Sequence, residues 1–586
     1  MKKSFINSNP HLHKEKEMVE FRKALLVLTG LVVLTGLVSA QTTPLQCTAN
    51  AGVPPIARAE GVAEEVGQVI INCVGGASTP SPDLNIPTIN VQIFLNTNIT
   101  SRLLDSTGTR SEALLLIDEP SPAEQIEAAG VPNVATFKAV GNGVYKNGVH
   151  PTVFGAQQAS PNSLVWLNIP FDPPGTSGNR VLRLVNVRAN ANQLGVGASL
   201  IPNQISMFIS ISGTASLALN NPQLTVAFIQ PGMKFSATSA TYNQCEPGTK
   251  SYKISFAELF GTAFRHQRSV GNQNIPGSIY NTESMFYSSA FTTVGAVGAG
   301  IATQGTRLSA RFSNVPANVT ITVPVGIDSH IRDANGVVTQ VNDTGTLVAS
   351  GTNGSTANAT TGVVTLTGGA GAAVWEVLTS NPGAISTFVA TVSVTYTANP
   401  LPGLGTATVA GNYAPVAATL TASTEAAPRF VENPQSATTF TINSCRTNLL
   451  FPFVSNQASF DTGIAISNTS KDPFGTVAQR GACTLNYFSA TNTPGAQTSV
   501  VINEGEQLIF NLSLGNATQN ITPTPGFQGY IIATCNFQFA HGYAFLSTPT
   551  QGGLAQGYLA LVMDKNMYST ADTATRTGAT SEKLDN

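Results

Sequence analysis

The sequence predicts an all-β protein built of several β-sandwich-like modules, and three observations support that fold class. Apolar and small polar residues alternate with a period of two in many short segments, as they do in half-buried strands. Turn-forming pairs such as Asn353-Gly354 separate these segments. Helical patterns are scarce, so we expect the segments to pair with one another in sheets.

The alternation is clearest in residues 89–95, 319–327 and 388–396. In the last of these, Phe388 and Val392 share a face with other apolar residues, whereas the opposite face carries mostly Thr and Ser. One apolar face and one small polar face indicate strands that cover a core on one side only.

One short surface helix is expected in addition. Ser121 and Glu124 have the spacing of a capping box, Pro122 occupies the first helical position, and Gly130 ends the segment.

The beginning of the chain has the pattern of a secretory signal peptide. Two cations, Arg22 and Lys23, precede the apolar residues 24–37, and small residues follow at positions 38 and 40. We therefore predict a signal peptide over residues 1–40, with Met18 as an alternative start. The mature protein is then exported to the cell surface, the medium or the periplasm, and does not span a membrane.

The remaining chain is long enough for three modules. The predicted divisions are an N-terminal β-sandwich-like module over residues 41–248, a charge-poor middle module over 249–430, a disulfide-containing C-terminal module over 431–565 and a disordered tail over 566–586. The middle module is distinctive because Glu376 is the only charged residue between positions 344 and 424.

The composition limits the class of partner. Charged residues make up 10% of the chain and the formal net charge is −2, whereas nucleic-acid binding requires clustered cations. A surface with little charge lacks the mutual repulsion that keeps proteins apart. We therefore expect a protein or polysaccharide surface as the partner, with self-association as a further option, and no nucleic acid.

The six cysteines all follow the predicted leader, as expected for disulfides in an exported chain. Cys483 and Cys535 lie on the inward faces of two predicted strands and form the favoured pair. Cys47 and Cys73 are close in sequence and come next, which leaves Cys245 with Cys445. Six cysteines allow about 15 pairings, so the sequence alone does not decide among them.

No motif for catalysis, metal binding or cofactor binding is present, and we predict no cofactor and no metal. The mature histidines, at positions 150, 266, 330 and 541, are far apart in sequence. Asp118 and Glu119 are the candidate catalytic acids, because they end an apolar strand where a cleft could form. A plain turn between strand and helix explains them equally well.

Two further residue sets bear on function. Trp166 and Trp375 are the only indole side chains available as stacking platforms for sugars. Arg180, Arg183 and Arg188 form the one basic cluster of the mature chain. Because Arg183 and Arg188 point to opposite faces of a strand, we expect a solvated strand and not a basic patch.

Two phrases resemble segments of large secreted β-rich proteins of environmental bacteria that have no assigned activity. They are LRLVNVRAN at residues 182–190 and FPFVSNQASFDTGIAISNTS at residues 451–470. The resemblance implies export and β-architecture, and it contains no catalytic motif.

The sequence as a whole predicts a non-catalytic secreted or cell-surface protein with a structural, adhesive or binding role. Its low charge, its predicted disulfides and its strand-rich surface favour that function. The alternative is an extracellular polysaccharide-active hydrolase or lyase that uses Asp118 and Glu119.

Overall fold

A computed structural model describes residues 22–23, 44–78, 86–104, 109–125, 152–197, 202–213, 217–268, 273–287, 298–332, 335, 338–397, 402–476, 478–548 and 553–563. Strands account for 52% of the structure, no helix of seven or more residues occurs in these ranges, and the predicted all-β class is confirmed. Apart from Arg22 and Lys23, the predicted signal peptide lies outside the described residues, and the predicted tail lies wholly outside them.

The N-terminal unit is built around one large sheet. Its strands are β1 (Gln46–Ala51), β2 (Ile56–Arg58), β3 (Glu64–Glu65), β4 (Val69–Gly75), β5 (Thr88–Leu95), β6 (Arg110–Ile117), β7 (Val153–Ser160), β8 (Ser163–Pro170), β9 (Gly175–Val185), β10 (Arg188–Ala189), β11 (Asn203–Gly213), β12 (Ala218–Asn220) and β13 (Gln223–Gln230). Eleven of them form a sheet in the order β12-β1-β4-β9-β6-β7-β8-β5-β11-β13-β2, and β3 pairs with β10. One core draws residues from strands across the large sheet, so the sheet curves around its own interior.

The middle unit is a sandwich of two sheets. Its strands are β14 (Met233–Ala237), β15 (Ala240–Asn243), β16 (Gly248–Glu258), β17 (Arg307–Ser313), β18 (Thr320–Thr322), β19 (Gly326–Arg332), β20 (Val338–Leu347), β21 (Val363–Val364), β22 (Gly371–Thr379), β23 (Thr387–Tyr396), β24 (Gly405–Ala414) and β25 (Gln435–Asn443). A five-stranded sheet, β14-β16-β23-β18-β21, packs on a seven-stranded sheet, β15-β25-β24-β17-β22-β20-β19. Aromatic side chains fill the space between them, with the Phe256 ring 6.2 Å from Trp375.

The C-terminal unit is a smaller sandwich. Its strands are β26 (Thr447–Ser455), β27 (Asp461–Asn468), β28 (Cys483–Phe488), β29 (Gln497–Thr498), β30 (Gln507–Asn511), β31 (Gln528–Cys535), β32 (Ala540–Ser547), β33 (Ala555–Leu559) and β34 (Leu561–Val562). The sheets have the orders β29-β28-β31-β26-β34 and β30-β27-β32-β33. Strands β33 and β34 belong to different sheets, and only Ala560 separates them, so the chain crosses from one sheet to the other at this residue.

The sheets group β14 to β25 together, and the predicted divisions at residues 248 and 430 stay predictions. Strand β14 pairs with β16, and β25 pairs with β24, so both belong to the middle unit.

The predicted surface helix is only partly described. Ser121 and Glu124 make one of the two capping-box bonds, in which the Ser121 backbone amide donates to the Glu124 carboxylate at 3.1 Å, and the Ser121 hydroxyl also donates to this carboxylate at 2.7 Å. The described residues 121–125 form a turn, and residues 126–130 lie outside the described part of the chain.

Two disulfides link neighbouring strands. Cys47 on β1 lies directly opposite Cys73 on β4, and Cys483 on β28 lies directly opposite Cys535 on β31. These are the first two pairs that the sequence favoured. The third pair, Cys245 and Cys445, is not joined by a disulfide in the structure.

Arg58 connects the N-terminal and middle units through buried charges. Its side chain is 1% exposed, and its guanidinium donates to Glu64 at 2.9 Å and to Glu283 of the middle unit at 2.8 Å. The guanidinium also lies 4.7 Å from the centre of the Phe430 ring. Burial opposes the charge of Glu283, but the neighbouring Arg58 lowers the pKa of this carboxyl below its ordinary value.

Two members of the basic cluster, Arg183 and Arg188, are also buried, contrary to the expected solvated strand. Arg188 donates to Glu112 at 3.1 Å and to the Glu283 carbonyl at 2.7 Å. Charged side chains are buried only where acids and carbonyls compensate them. Those partners come from distant parts of the chain, which explains why the local pattern did not reveal them.

Two long connections of the middle unit lie against the N-terminal unit. From the connection between β16 and β17, the Phe286 carbonyl accepts from the Asn186 side chain at 2.8 Å. From the connection between β24 and β25, the Leu420 carbonyl accepts from the Asn190 side chain at 3.1 Å. These contacts and the Arg58 ion pairs join the two units into one body.

Replacing one partner of this buried network should destabilise the joined units strongly. Glu283→Gln leaves the Arg58 guanidinium without its full charge compensation, so we expect a loss of about 3–5 kcal/mol in the free energy of unfolding. Urea unfolding of the full chain would measure this loss. The matched control is Glu432→Gln, an exposed carboxylate whose partner Arg311 is partly exposed and whose loss should cost about 0–1 kcal/mol. Equal effects of the two variants would contradict the prediction.

Candidate functional site

A groove with one exposed aromatic wall and one exposed aliphatic wall lies on the outer face of the C-terminal unit. Its floor is strand β27, where the outward residues Gly463, Ala465 and Ser467 alternate with Ile464 and Ile466, which face the core. Because the outward side chains are small, the floor is lower than the strands on each side. The same alternation therefore places the large residues of β27 in the core and its small residues in the floor of the groove.

The walls stand on the two strands that pair with β27. Ala465 lies opposite Ile509 on β30 and Tyr543 on β32, and Gly463 lies opposite Phe545. Neighbouring strands are about 4.8 Å apart, so the two walls are separated by roughly 10 Å. The groove has a volume of about 410 Å³.

The walls are unusually exposed for side chains of this type. Ile509 is 51% exposed, Tyr543 44% and Phe545 42%, and Leu514 extends the wall beyond β30. A contiguous group of exposed apolar and aromatic residues on a soluble protein indicates a binding surface.

The orientation of Tyr543 depends on the next strand. Its phenol lies over Gly557 of β33, where a Cβ atom would overlap the ring. A glycine at this position is therefore required for the aromatic wall to lie against the sheet.

The groove carries no charge on the side chains that line it. Its lining residues are Gly463, Ile464, Ala465, Ile509, Phe510, Asn511, Leu514, Gly515, Tyr543 and Phe545. The Asn511 side chain provides the polar group of this set, because the Tyr543 hydroxyl lies over Gly557 of β33. At one end Asp461 holds Ser513, and at the other end His541 stands opposite Ser467. An uncharged partner with apolar faces and hydroxyl groups matches this lining.

Asp118 and Glu119, the predicted catalytic acids, lie on the N-terminal unit away from this groove. The Asp118 carboxylate accepts from the Val181 backbone amide at 3.0 Å and pairs with Arg180, and Glu119 pairs with Arg183. Both residues have a positive φ, as in a tight turn. Their ion pairs hold this turn against strand β9, and a catalytic role stays a prediction.

The two indoles are not available as platforms for sugars. Trp166 and Trp375 are fully buried, and the Trp375 ring nitrogen donates to the Pro324 carbonyl at 2.9 Å. Tyr543 and Phe545 of the groove are instead exposed aromatic rings. Sequence analysis did not identify Tyr543 and Phe545 as binding residues, because the alternation of β32 is that of any half-buried strand. Only the pairing of β32 with β27 shows that the two rings lie beside small residues.

In the middle unit, the titratable side chain of His266 contacts the hydroxyl of Ser380. The imidazole Nδ1 of His266 lies 2.7 Å from the Ser380 hydroxyl, and burial lowers the pKa of His266. Asp343 nearby accepts from the Asn381 backbone amide, and the structure gives it no hydrogen bond to the His266 ring. No group of three or more metal-ligating side chains was found in the described ranges.

Comparison with known proteins finds no matching family model and no matching curated protein. The chain is similar to the C-terminal domain of the AgI/II polypeptide BspA of Streptococcus agalactiae, at 7% identity and a TM-score of 0.24, over 67% of this chain and 99% of that one. It is similar to the serine-rich repeat protein Srr2 of the same species, at 11% identity and a TM-score of 0.16, over 64% of this chain and 88% of that one. It is also similar to the major pilin SpaD of Corynebacterium diphtheriae, at 8% identity and a TM-score of 0.19, over 88% of this chain and 90% of that one.

These identities and TM-scores are too low to transfer a function, so the geometry of this chain carries the argument. Within the described ranges, no helix has the length and apolar character needed to cross a membrane.

Glu258 should make the stability of the middle unit depend on pH. Burial raises the pKa of its carboxyl to about 7 and nearby Asp343 adds to this, although the Phe264 and Ser386 amides donate to it. A raised pKa means that the folded state binds the proton more tightly than the unfolded state. The resulting stabilisation is complete below about pH 4.5 and is lost as pH rises through about 7, a fall of about 3 kcal/mol.

Urea unfolding of the full chain at several pH values between 4.5 and 8.5 would measure this fall. In Glu258→Gln the fall should be smaller, because this side chain no longer titrates, whereas the exposed Glu432→Gln control should keep it. An unchanged pH dependence in Glu258→Gln would show that other groups are responsible.

Proposed function

We propose that the protein is an exported, non-catalytic adhesion protein of the cell surface that binds neutral polysaccharide in the groove of its C-terminal unit. The observation that carries this proposal is the aromatic wall on β32, Tyr543 and Phe545, exposed beside the glycine and alanine floor of β27. Leaving two aromatic rings in water is unfavourable, and burying them against a partner recovers that free energy.

The chemistry of the groove favours a sugar chain over other partners. Pyranose rings present apolar C–H faces, which pack on aromatic rings, and hydroxyl groups, which suit the Asn511 amide. The lining offers no cation for an anionic polymer. The groove is one strand wide at its floor, which suits an extended chain better than the broad surface of about 800 Å² per partner that a stable protein complex covers.

Export rests on separate observations. The pattern of residues 1–40 predicts a signal peptide, and the buried disulfides Cys47–Cys73 and Cys483–Cys535 belong to an oxidising compartment. An adhesive role accords with the low charge of the chain, which permits close approach to another surface.

Removing the aromatic wall should weaken binding to neutral polysaccharide. Each aromatic contact contributes about 0.5–1.5 kcal/mol beyond its buried area. We therefore expect Tyr543→Ala to weaken binding by about 10-fold and the double variant with Phe545→Ala by about 100-fold. Affinity electrophoresis of the full chain through gels that contain a neutral β-glucan, xylan or mannan would measure the change.

The control is an exposed aromatic residue of the same unit on the opposite sheet. Tyr530 stacks on Phe488 with ring centres 4.9 Å apart, is similarly exposed, and lies away from the groove. Tyr530→Ala should bind as the unchanged protein does. Equal losses in Tyr530→Ala and Tyr543→Ala, retention only by an anionic polygalacturonan, or no retention by any neutral polymer would refute the proposal.

The same polymers also test the non-catalytic part of the proposal. We expect no release of reducing ends or unsaturated products when the protein is incubated with them. Release that disappears in Asp118→Asn or Glu119→Gln would instead establish the hydrolase or lyase alternative.

A further inference from the structure

Cys245 and Cys445 meet where the middle unit joins the C-terminal unit. Strand β15 runs parallel to β25, with Asn243 opposite Asn443, and the Gln244 amide donates to the Asn443 carbonyl at 2.9 Å. Each cysteine lies two residues beyond this aligned pair, so the register of the two chains brings the thiols together. The two side chains are in contact and are not joined by a disulfide.

The backbone near Cys245 is anchored to the middle unit. The Tyr396 hydroxyl donates to the Asn243 carbonyl at 2.9 Å, and the Gln244 side chain donates to the Pro402 carbonyl at 2.6 Å. These bonds hold the turn after β15 on the sandwich, so the approach of the thiols does not depend on a freely moving segment.

The two thiols differ in access. Cys445 is 2% exposed, whereas Cys245 is partly exposed. Contact with Cys245 and burial both raise the pKa of the Cys445 thiol, which disfavours its thiolate. Cys245 is therefore the sulfur that a disulfide in solution can reach first.

We propose that Cys245 and Cys445 are an oxidation site that closes into a third disulfide by exchange with an extracytoplasmic disulfide oxidant. The Cys245 thiolate attacks one sulfur of the oxidant, which forms a mixed disulfide and releases one thiol. Cys445 then loses its proton and attacks the Cys245 sulfur, which forms the Cys245–Cys445 bond and releases the second thiol. The two cysteines give up two electrons and two protons, and the oxidant disulfide is reduced to two thiols.

A Cys245–Cys445 disulfide would stabilise an edge strand of the middle unit. Strand β15 stands at the end of the seven-stranded sheet and is aligned with β25 over four residue pairs. Cys445 lies between β25 and β26, the first strand of the C-terminal unit. Oxidation would therefore fix the edge strand and the start of the connection to the C-terminal unit, and would close a loop of roughly 200 residues.

Glutathione exchange on the full chain tests this site directly. The protein is equilibrated with mixtures of reduced and oxidised glutathione, remaining thiols are alkylated, and peptides are identified by mass spectrometry. We expect a Cys245–Cys445 peptide under oxidising mixtures, with a rise in the melting temperature of the middle unit of roughly 5–15 °C. We expect milder reductant to open this bond than is needed for the buried pair Cys483–Cys535.

Single variants separate an exchange site from two cysteines that only pack together. Cys445→Ser should accumulate glutathione on Cys245, because no second thiol resolves the mixed disulfide, whereas Cys245→Ser should leave Cys445 largely unmodified. The peptide map of the unchanged protein decides the question if a variant does not fold. Alkylation of both cysteines after oxidation, or preferential glutathione attachment to Cys445, would overturn the proposal.

Discussion

Successive side chains of a β-strand leave opposite faces of the sheet, and this geometric constraint governs the core and the surface of the protein together. In β27, Ile464 and Ile466 enter the core, so the residues between them must face the solvent. The outward positions Gly463 and Ala465 are small, and the paired strands place Ile509 and Tyr543 beside them. The groove therefore results from the same alternation that stabilises the sandwich, combined with the size of each outward residue.

The chain has few charged side chains, and some of them are buried between the first two units. Only 10% of the residues are charged, yet Arg58 and Arg188 are almost fully buried between the first two units. A buried guanidinium is costly unless carboxylates and carbonyls surround it. Glu283 supplies both, since its carboxylate binds Arg58 and its carbonyl accepts from Arg188. The interface between the N-terminal and middle units therefore requires an acceptor for each buried guanidinium, whereas an apolar interface would not.

The sequence predicts well what is local and poorly what depends on pairing between distant segments. Period-two alternation predicts the strand class, and the inward positions of Cys483 and Cys535 indicate the partners that the structure joins. The burial of Arg188 is not predictable from its neighbours, because its partners Glu112 and Glu283 are far away in sequence. The groove is hidden for the same reason, since Tyr543 becomes a wall only when β32 pairs with β27.

The two connections that reach back over the first sheet impose an order on maturation. Arg58 lies early in the chain, but Glu283 and the Phe430 ring follow it by more than 200 residues. While the chain emerges from its amino end, the first sheet can collapse around its own core but holds an arginine without a complete set of neighbours. A fragment that stops after residue 230 would thus expose the surface that the two connections of the middle unit cover in the full chain. Chaperones and proteases would be expected to act on such a fragment.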